Sequence, residues 1–426
     1  MNKILTMLFA AAVVFSSQAT IYYASPDGTA EADCLSENTA GDIYTAISKA
    51  KASGDIIQLA KGTYSITEKS INLSYAGVTL KGATDDAADT VLQGPGGTTK
   101  SMTAILATKN KKVVVRDLTI SGFYRSGKGG AAIEGRDGSS VISANNILSA
   151  VNCIFENNSA NYGNQAEYNT STTVYGGTYS NCVFKSNYSK GRGGAGEGGI
   201  YVDSHFKGNS THVKTGLAGA LYGGEALRCV FDGNTARNGG GTYKTSVNCC
   251  VYSNNVSSST DTGYACTGTA IFEGTVKNSL IVNNVAKNKN SATIHNATCI
   301  NCTIANNTTK SSYGAAYNGT YKNCIVIGNT VDVDGGTHYN TLYESKKNSP
   351  SMTDCIQTTD AKFNKGTNPD LPYYFIQASS IARDAGMDVG WTSASVDLLG
   401  NKRVKGNTID LGCYEYQTAG FMIIVK

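Results

Sequence analysis

A short segment that recurs through the middle of the chain constrains the fold more than any other feature. Its clearest copy is VNCIFENN at Val151, and each copy is anchored on a Cys or Ser. Near-copies are SNCVFKSN at Ser180, DSHFKGN at Asp203, RCVFDGN at Arg228, NCCVYSNN at Asn248, NSLIVNN at Asn278, NCTIANN at Asn301 and NCIVIGN at Asn323. Successive anchors are 29, 22, 25, 21, 29, 23 and 22 residues apart. A unit of about 20–30 residues, repeated this often, predicts a stacked solenoid in which neighbouring units cover each other's apolar faces.

Within a copy, the anchor and the residue two positions later are small or apolar, as in Cys153 and Phe155. A period of two indicates a strand with both side chains on one face, which we assign to the interior. We therefore expect a core stack of reduced thiols at Cys153, Cys182, Cys229, Cys250, Cys302 and Cys324. The Asn that ends each copy predicts a structural ladder of side-chain amides at Asn158, Asn187, Asn209, Asn234, Asn255, Asn284, Asn307 and Asn329.

Each unit holds at least two short strands and two turns, which leaves no room for a helix. This pattern predicts an all-β protein, a parallel β-helix solenoid, and the usual handedness of parallel crossovers makes it right-handed. A leucine-rich repeat shares the period but needs a leucine framework that these copies lack. A short helix at IYTAISKAKA, from Ile43 and capped by Asp42, is expected to cover the first coil.

The rest of the chain divides around this solenoid. Residues 1–19 are a secretory signal, with Lys3 before an apolar run that is too short to span a membrane. We expect an N-terminal strand and the capping helix over 20–54, the β-helix over 55–345, and a small C-terminal module over 346–426. The outward positions become apolar at Leu280, Val282, Ala305, Ile325 and Ile327, so the tail from Leu371 onward is predicted to pack on these last rungs.

The net charge excludes some classes of partner, and the cysteine count bears on disulfide bonds. A net charge of +4 is too balanced to predict nucleic acid as a partner, and no stretch predicts a membrane span. The chain is expected to be a monomer. It has twelve cysteines, and among those outside the stack, Cys34, Cys249, Cys266, Cys299 and Cys413 could include disulfide pairs.

Three short stretches near the N-terminus resemble the secreted parallel β-helix proteins of the pectate-lyase-like superfamily: GDII at Gly54, KGTY at Lys61 and GVTLKG at Gly77. The FxxN copies at Phe155, Phe184, Phe206 and Phe231, with GGA at Gly129 and Gly193, resemble the repeats of polymorphic outer-membrane autotransporter proteins. IDLGCYEYQ at Ile409 resembles a C-terminal module of anchored bacterial β-helix proteins. The resemblance implies a right-handed coil on a bacterial outer membrane or outside the cell.

The strongest charged constellation predicted for the outer face comprises Asp203, Lys207, Arg228 and Asp232, with Asp203, His205 and Lys207 alternating outward on one strand. Polysaccharide lyases of the superfamily hold calcium with carboxylates and use Arg or Lys as base, so these four residues are the catalytic candidates if the chain is an enzyme. Opposite charges in register equally predict ordinary cross-rung ion pairs. Neither the CxxC at Cys299 nor Asp332-Val333-Asp334 predicts a metal site.

We therefore interpret the chain as an exported, non-catalytic β-helix for surface display, adhesion or glycan contact, with no cofactor. Its expected partner is a polysaccharide, or a glycan or protein of a host or cell surface. The alternative is a polysaccharide lyase or related carbohydrate-active enzyme that acts on acidic polysaccharide with calcium.

Overall fold

The protein is a right-handed parallel β-helix. The computed structural model describes residues 19–162, 170–258, 267–287, 290–310, 313–368, 371–405 and 408–417. The predicted secretory signal (except its last residue) and Cys266 lie outside these residues. Four sheets run along the coil, and all pairs are parallel except one hairpin, in which Ser140–Ile142 pairs antiparallel with Gly129–Asp137. This architecture confirms the predicted fold class.

Where a turn of the coil has a strand in all four sheets, the chain passes through them in the order that we number 1, 2, 4 and 3. Sheet 1 has fourteen strands: Ile21–Thr29, Ile56–Leu59, Thr79–Lys81, Val113–Arg116, Leu148–Val151, Thr178–Ser180, Ile200–Val202, Glu225–Leu227, Ser246–Asn248, Thr275–Lys277, Thr298–Ile300, Thr320–Lys322, Thr337–Tyr339 and Ser351–Thr353. Sheet 2 has thirteen: Gly62–Ser65, Thr90–Gln93, Thr119–Ser121, Ile154–Glu156, Val183–Lys185, His205–Lys207, Val230–Asp232, Val251–Ser253, Leu280–Val282, Thr303–Ala305, Ile325–Ile327, Leu342–Tyr343 and Ile356–Gln357.

The other two sheets complete the coil. Sheet 3 consists of the hairpin strand Ser140–Ile142 together with Ile71–Leu73, Ile105–Thr108, Gly129–Asp137, Ser171–Tyr175, Gly196–Glu197, Leu221–Tyr222, Thr242–Tyr243, Ile271–Phe272, Ile294–His295, Ala316–Tyr317, Val333–Asp334 and Lys346–Lys347. Sheet 4 consists of Tyr124–Ser126, Ser159–Asn161, Tyr188–Ser189, Ser210–Thr211, Thr235–Ala236, Val256–Ser257 and Val285–Ala286.

The strands are short because a left-handed residue turns the chain at each corner of sheet 2. Between sheets 1 and 2 this corner residue has positive φ at Asp117, Asn152, Asn181, Asp203, Arg228, Cys249, Asn278, Asn301, Asn323, Asn340 and Asp354. A side chain with a Cβ costs about 1–2 kcal/mol in this conformation, and Asn and Asp tolerate it best. The Asn that precedes the anchor in most copies therefore sets the corner.

A helix covers the N-terminal end of the coil. It spans Ile43–Lys49, and the Asp42 carboxylate caps it by accepting from the backbone N–H groups of Tyr44 and Thr45 at 2.8 Å. Ile43 and Ala46 are buried against the first strands. Two 3-10 turns, Glu37–Thr39 and Ala87–Asp89, lie in the same region.

The interior consists of columns of like side chains that stack from rung to rung. Rings follow one another at Phe155, Phe184, Phe206, Phe231 and Tyr252, with centroids 4.6–4.9 Å apart. Beside them the anchor thiols are buried, and Sγ of Cys153 donates to the carbonyl of Val151 at 3.3 Å. Burial raises the pKa of Cys153, Cys250 and Cys324, so these thiols are protonated packing groups. The described cysteines are all free thiols.

The Asn side chains form a continuous buried ladder. Asn234 Nδ2 donates to Phe206 O at 2.9 Å and to Asn255 Oδ1 at 3.0 Å, and its own Oδ1 accepts from Asn209 N and Nδ2. The same bonds recur through Asn158, Asn187, Asn209, Asn234, Asn255, Asn284, Asn307 and Asn329. Each amide closes one corner and ties it to the next rung, so the buried side-chain amides of the ladder satisfy one another and the backbone.

Beyond residue 345 the coil continues to Ile356–Gln357, and the chain then folds back along its side. Leu280, Val282, Ala305, Ile325 and Ile327 are buried on the outer face of sheet 2 in a second apolar cluster. Tail residues of that cluster include Phe363, Phe375, Ile376, Ala382, Leu411, Cys413 and Tyr414. Within the described residues, no helix is long and apolar enough to cross a membrane.

Candidate functional site

The predicted charged cluster centres on an ion pair between two neighbouring rungs. Arg228 Nε donates to Asp203 Oδ1 at 2.6 Å and Nη2 donates to Oδ2 at 2.8 Å. The guanidinium lowers the pKa of Asp203, and the carboxylate raises the pKa of Arg228. A general base must lose its proton easily, so this bidentate pair works against Arg228 as a base.

The prediction that Asp203 shares a strand with His205 and Lys207 is wrong. Asp203 has φ 49° and lies at the corner, whereas the strand spans His205–Lys207. Asp adopts the left-handed backbone conformation more readily than most residues, which explains why the repeat can carry an Asp at this corner. The carboxylate therefore sits beside the corner and not on the flat face of sheet 2.

The two other candidates lie in register on sheet 2, but they do not pair. Lys207 stands opposite Asp232 and is exposed, and within the described parts of the chain no ion pair joins them. Asp232 Oδ1 instead accepts from Ser253 Oγ and Asn254 Nδ2, both at 2.8 Å. On the other side of Lys207 stands Lys185, which pairs with Glu156 at 3.6 Å.

The carboxylates near Asp332 are also occupied by protein groups. Asp332 Oδ2 accepts from Ser345 N at 2.8 Å and from Glu344 N at 3.1 Å, and Asp334 Oδ2 accepts from Gly314 N at 3.0 Å. Both carboxylates are therefore engaged by backbone N–H groups of neighbouring segments. In the described ranges, no three His, Cys, Asp or Glu side chains are grouped so that they could hold a metal ion.

The outer face of sheet 3 carries a column of aromatic side chains that was not predicted from the sequence. The register aligns Tyr222, Tyr243, Phe272, His295 and Tyr317 on five successive rungs. All five rings are partly exposed. We call this row the sheet-3 column.

The upper rings of the sheet-3 column cover each other's faces. Tyr222 and Tyr243 stack with centroids 5.1 Å apart, and Tyr243 and Phe272 at 4.7 Å, with planes within 20°. The guanidinium of Arg192 covers the free face of Tyr222 at 4.7 Å and pairs with Glu197 at 3.3 Å. Because their faces are covered in this way, these rings are exposed mainly at their edges.

The lower end of the column is less regular. His295 is tilted 49° from Phe272 and perpendicular to Tyr317, and Tyr313 stacks on Tyr317 at 3.9 Å. Burial lowers the pKa of His295 to about 4, so the imidazole is neutral at physiological pH. A neutral imidazole both donates and accepts hydrogen bonds, as sugar hydroxyls do.

The signal for this column lay in the sequence. An apolar or small residue, then an aromatic ring, then a corner precedes sheet 1 in LYGGE at Leu221, TYKTS at Thr242, IFEGT at Ile271, IHNAT at Ile294 and AYNGT at Ala316. Strands of two residues contain no full period-two alternation, so the pattern does not stand out within one unit. The recurring aromatic position becomes visible only when the units are aligned rung by rung.

The coil and its stacked columns define the chain as a parallel β-helix protein. Among solved structures, it is similar to pectate lyase Pel9A, with 16% identity and a TM-score of 0.43 over 94% of this chain and 97% of that one. It is also similar to XylC in complex with xylose, with 10% identity and a TM-score of 0.46 over 94% and 99% of the two chains. For a mutant of the PL6 family alginate lyase AlyGC the values are 13% and 0.44, over 83% of this chain and 58% of that one. No protein-family model and no curated protein sequence matches the chain.

Proposed function

We propose that the protein is an exported, non-catalytic β-helix that is displayed at the cell surface and contacts an extended glycan along the sheet-3 column. The observation that carries this proposal is the row of partly exposed ring edges on five consecutive rungs. Isolated exposed aromatic residues are common on protein surfaces. A row of them in register on successive rungs instead forms a continuous strip along the coil axis.

The chemistry of this row suits a polymer of sugar hydroxyl groups. The edge of an aromatic ring carries partial positive charge, which attracts sugar oxygens, and the phenol groups of Tyr222 and Tyr243 add donors and acceptors. Beside the rings, Lys244 pairs with Glu273 at 3.4 Å and lies 5.5 Å from the Tyr243 ring centre. Rungs repeat every ~4.8 Å, so the five rings offer contacts over about 20 Å to a chain that lies along the coil axis.

The test is binding of the purified protein to a panel of neutral and acidic polysaccharides, followed by calorimetry on any ligand found. Tyr243→Ala and Phe272→Ala should each weaken that binding by roughly tenfold or more, since one lost contact of this kind is worth about 1–2 kcal/mol. Tyr373→Ala is the matched control, because Tyr373 is an exposed aromatic residue of the tail. Equal binding by all three variants would contradict the proposal.

A calcium-dependent polysaccharide lyase is the second candidate function, and the state of Lys207 is the observation in its favour. Its ammonium group is exposed, lacks a carboxylate partner among the described residues, and stands in register with Lys185. The same residue is an ordinary solvated lysine in the non-catalytic reading, so an assay must separate the two.

A further inference from the structure

The docked tail contains a cluster of buried charges that the proposed function does not use. Arg403 is completely buried, and Asp397, Asp410 and Glu415 are at most 2% exposed. Arg403 Nη2 donates to the main-chain carbonyls of Asp410 and Gly412, and Nη1 lies 3.8 Å from Glu415 Oε2. One guanidinium therefore faces three carboxyl groups, and full ionisation would bury two uncompensated negative charges.

The three carboxyl groups differ in the number of hydrogen bonds that they accept from backbone N–H groups. Asp397 accepts from the backbone N–H groups of Leu399 and Asn401 through Oδ1 and from that of Glu415 through Oδ2, at 2.8–2.9 Å. Asp410 accepts from the N–H groups of Asp384 and Tyr416. Among the described residues, Glu415 accepts a hydrogen bond from Asp410 N alone, at 3.1 Å. Because hydrogen bonds from N–H groups stabilise a carboxylate, Glu415 is the group for which ionisation is least favourable.

The groups around this cluster come from the tail and from the coil. Arg383, Asp384 and Lys405 line a cavity of about 200 Å³ together with Asp410, Glu415 and Tyr416. From the coil, Cys249 Sγ donates to Asp397 O at 3.5 Å, Asn301 Nδ2 donates to Asp410 O at 2.9 Å, and the thiol of Cys302 faces Cys413. The cluster therefore lies at the seam where the tail meets the coil, and the cavity gives Glu415 a path to solvent.

We propose that Glu415 carries a proton while the tail is docked, and that loss of this proton at alkaline pH releases the tail from the outer face of sheet 2. Release would uncover the apolar side chains of Leu280, Val282, Ile325 and Ile327. The coil itself stays intact, because its own ladders do not pass through Glu415. The tail thus acts as a cover whose attachment depends on pH.

The direction of the pKa shift of Glu415 agrees with this proposal. Burial, reinforced by the neighbouring carboxylate of Asp410, raises the pKa of Glu415 to about 8. A carboxyl group whose pKa is raised in the docked state contributes its full stabilisation below its ordinary pKa. That contribution is lost as the pH rises through the docked value. Docking should therefore weaken progressively between about pH 4.5 and about pH 8 and change little above that.

The experiment follows tail docking in the full chain as the pH is raised from about 5 to about 9, which covers most of this window and the plateau above it. An apolar dye reports the uncovered face, and hydrogen exchange of the Cys413 amide, which donates to Thr303 Oγ1 at 3.1 Å, reports the seam. For the wild-type chain we expect dye fluorescence and exchange beyond its intrinsic pH dependence to rise together up to about pH 8 and to level off above it. Glu415→Gln should stay docked throughout, since the neutral amide cannot ionise. Asp388→Asn, an exposed carboxylate of the same tail, is the control and should behave like the wild type.

Three outcomes would overturn the proposal. The first is a wild-type tail that stays protected at pH 9. The second is an identical rise in the Glu415→Gln variant. The third is a Glu415→Gln tail that is already undocked at pH 6, because a neutral side chain would then fail to replace the protonated acid. Hydrogen exchange of the wild type alone decides the first point if the variant does not fold.

Discussion

Asn323 and Met387 exchange two hydrogen bonds although 64 residues separate them in the chain. Asn323 Nδ2 donates to Met387 O at 2.9 Å, and Met387 N donates to Asn323 Oδ1 at 2.9 Å. Asn323 is a left-handed corner of the coil, and Met387 belongs to the tail. On neighbouring rungs, Asn301 accepts from Trp391 Nε1 and Asn340 donates to Ala385 O. The corner amides therefore serve as the attachment points of the tail.

Asn323→Ala should loosen the tail without unfolding the coil. The change leaves both polar groups of Met387 unpaired, at a cost of about 1–3 kcal/mol for each buried group. Limited proteolysis between residues 371 and 405 measures this loosening. Asn181→Ala is the matched control, since Asn181 has the same left-handed conformation but is exposed, and within the described residues its side chain bonds only to that of Asn152. Equal cleavage of both variants would show that corner strain, and not attachment, is responsible.

Asn234→Ala should destabilise the coil itself. The substitution removes the two Nδ2 bonds of Asn234 and leaves Asn209 and Phe206 with unpaired buried groups, so we expect a loss of about 3 kcal/mol or more. Thermal unfolding followed by circular dichroism measures it. Asn254→Gly, which removes an exposed corner amide while Gly keeps the left-handed conformation, should cost much less. A small effect at Asn234 would mean that the ladder contributes order but little stability.

The lyase alternative is tested by ultraviolet absorbance with polyuronides in the presence and absence of calcium. In the non-catalytic reading, no unsaturated product forms with any of the substrates. If product appears, Lys207→Ala should abolish it, whereas Arg228→Ala should act mainly by freeing Asp203 from its ion pair. Product that persists in both variants would place the chemistry elsewhere in the chain.

His295 should make stability fall as the solution is acidified. Its pKa in the folded protein is about 4, below its ordinary value of 6.5, so the unfolded chain binds the extra proton first. Stability due to His295 is therefore full above pH 6.5 and declines as the pH falls toward 4. The difference in melting temperature between pH 7 and pH 5 should shrink in His295→Gln. An NMR titration midpoint of His295 near 6.5 in the folded protein would contradict the prediction.

The fold class could be predicted because each unit repeats a pattern that its neighbours must match. The alternation of Cys153 and Phe155 defines an inward face, and the spacing of the copies excludes a helix between them. The position of Asp203 could not be predicted in the same way, because period two alone does not distinguish the last strand residue from the corner beside it. The sheet-3 column was missed because a strand of two residues, such as Leu221–Tyr222, shows no period. The cluster around Arg403 depends on contacts between the tail and rungs about 100–150 positions earlier, which no local pattern encodes.

The corner ladder also bears on how such a chain can change in length. Within the ladder, each rung presents the same amide above and below, so the turn between Cys229 and Cys250 bonds to its neighbours through groups that the other turns of the ladder also provide. Duplication or loss of one whole turn would leave the flanking joints chemically identical. Tandem duplication within the gene can therefore change the length of the coil in steps of one rung, and no new type of contact between rungs is needed.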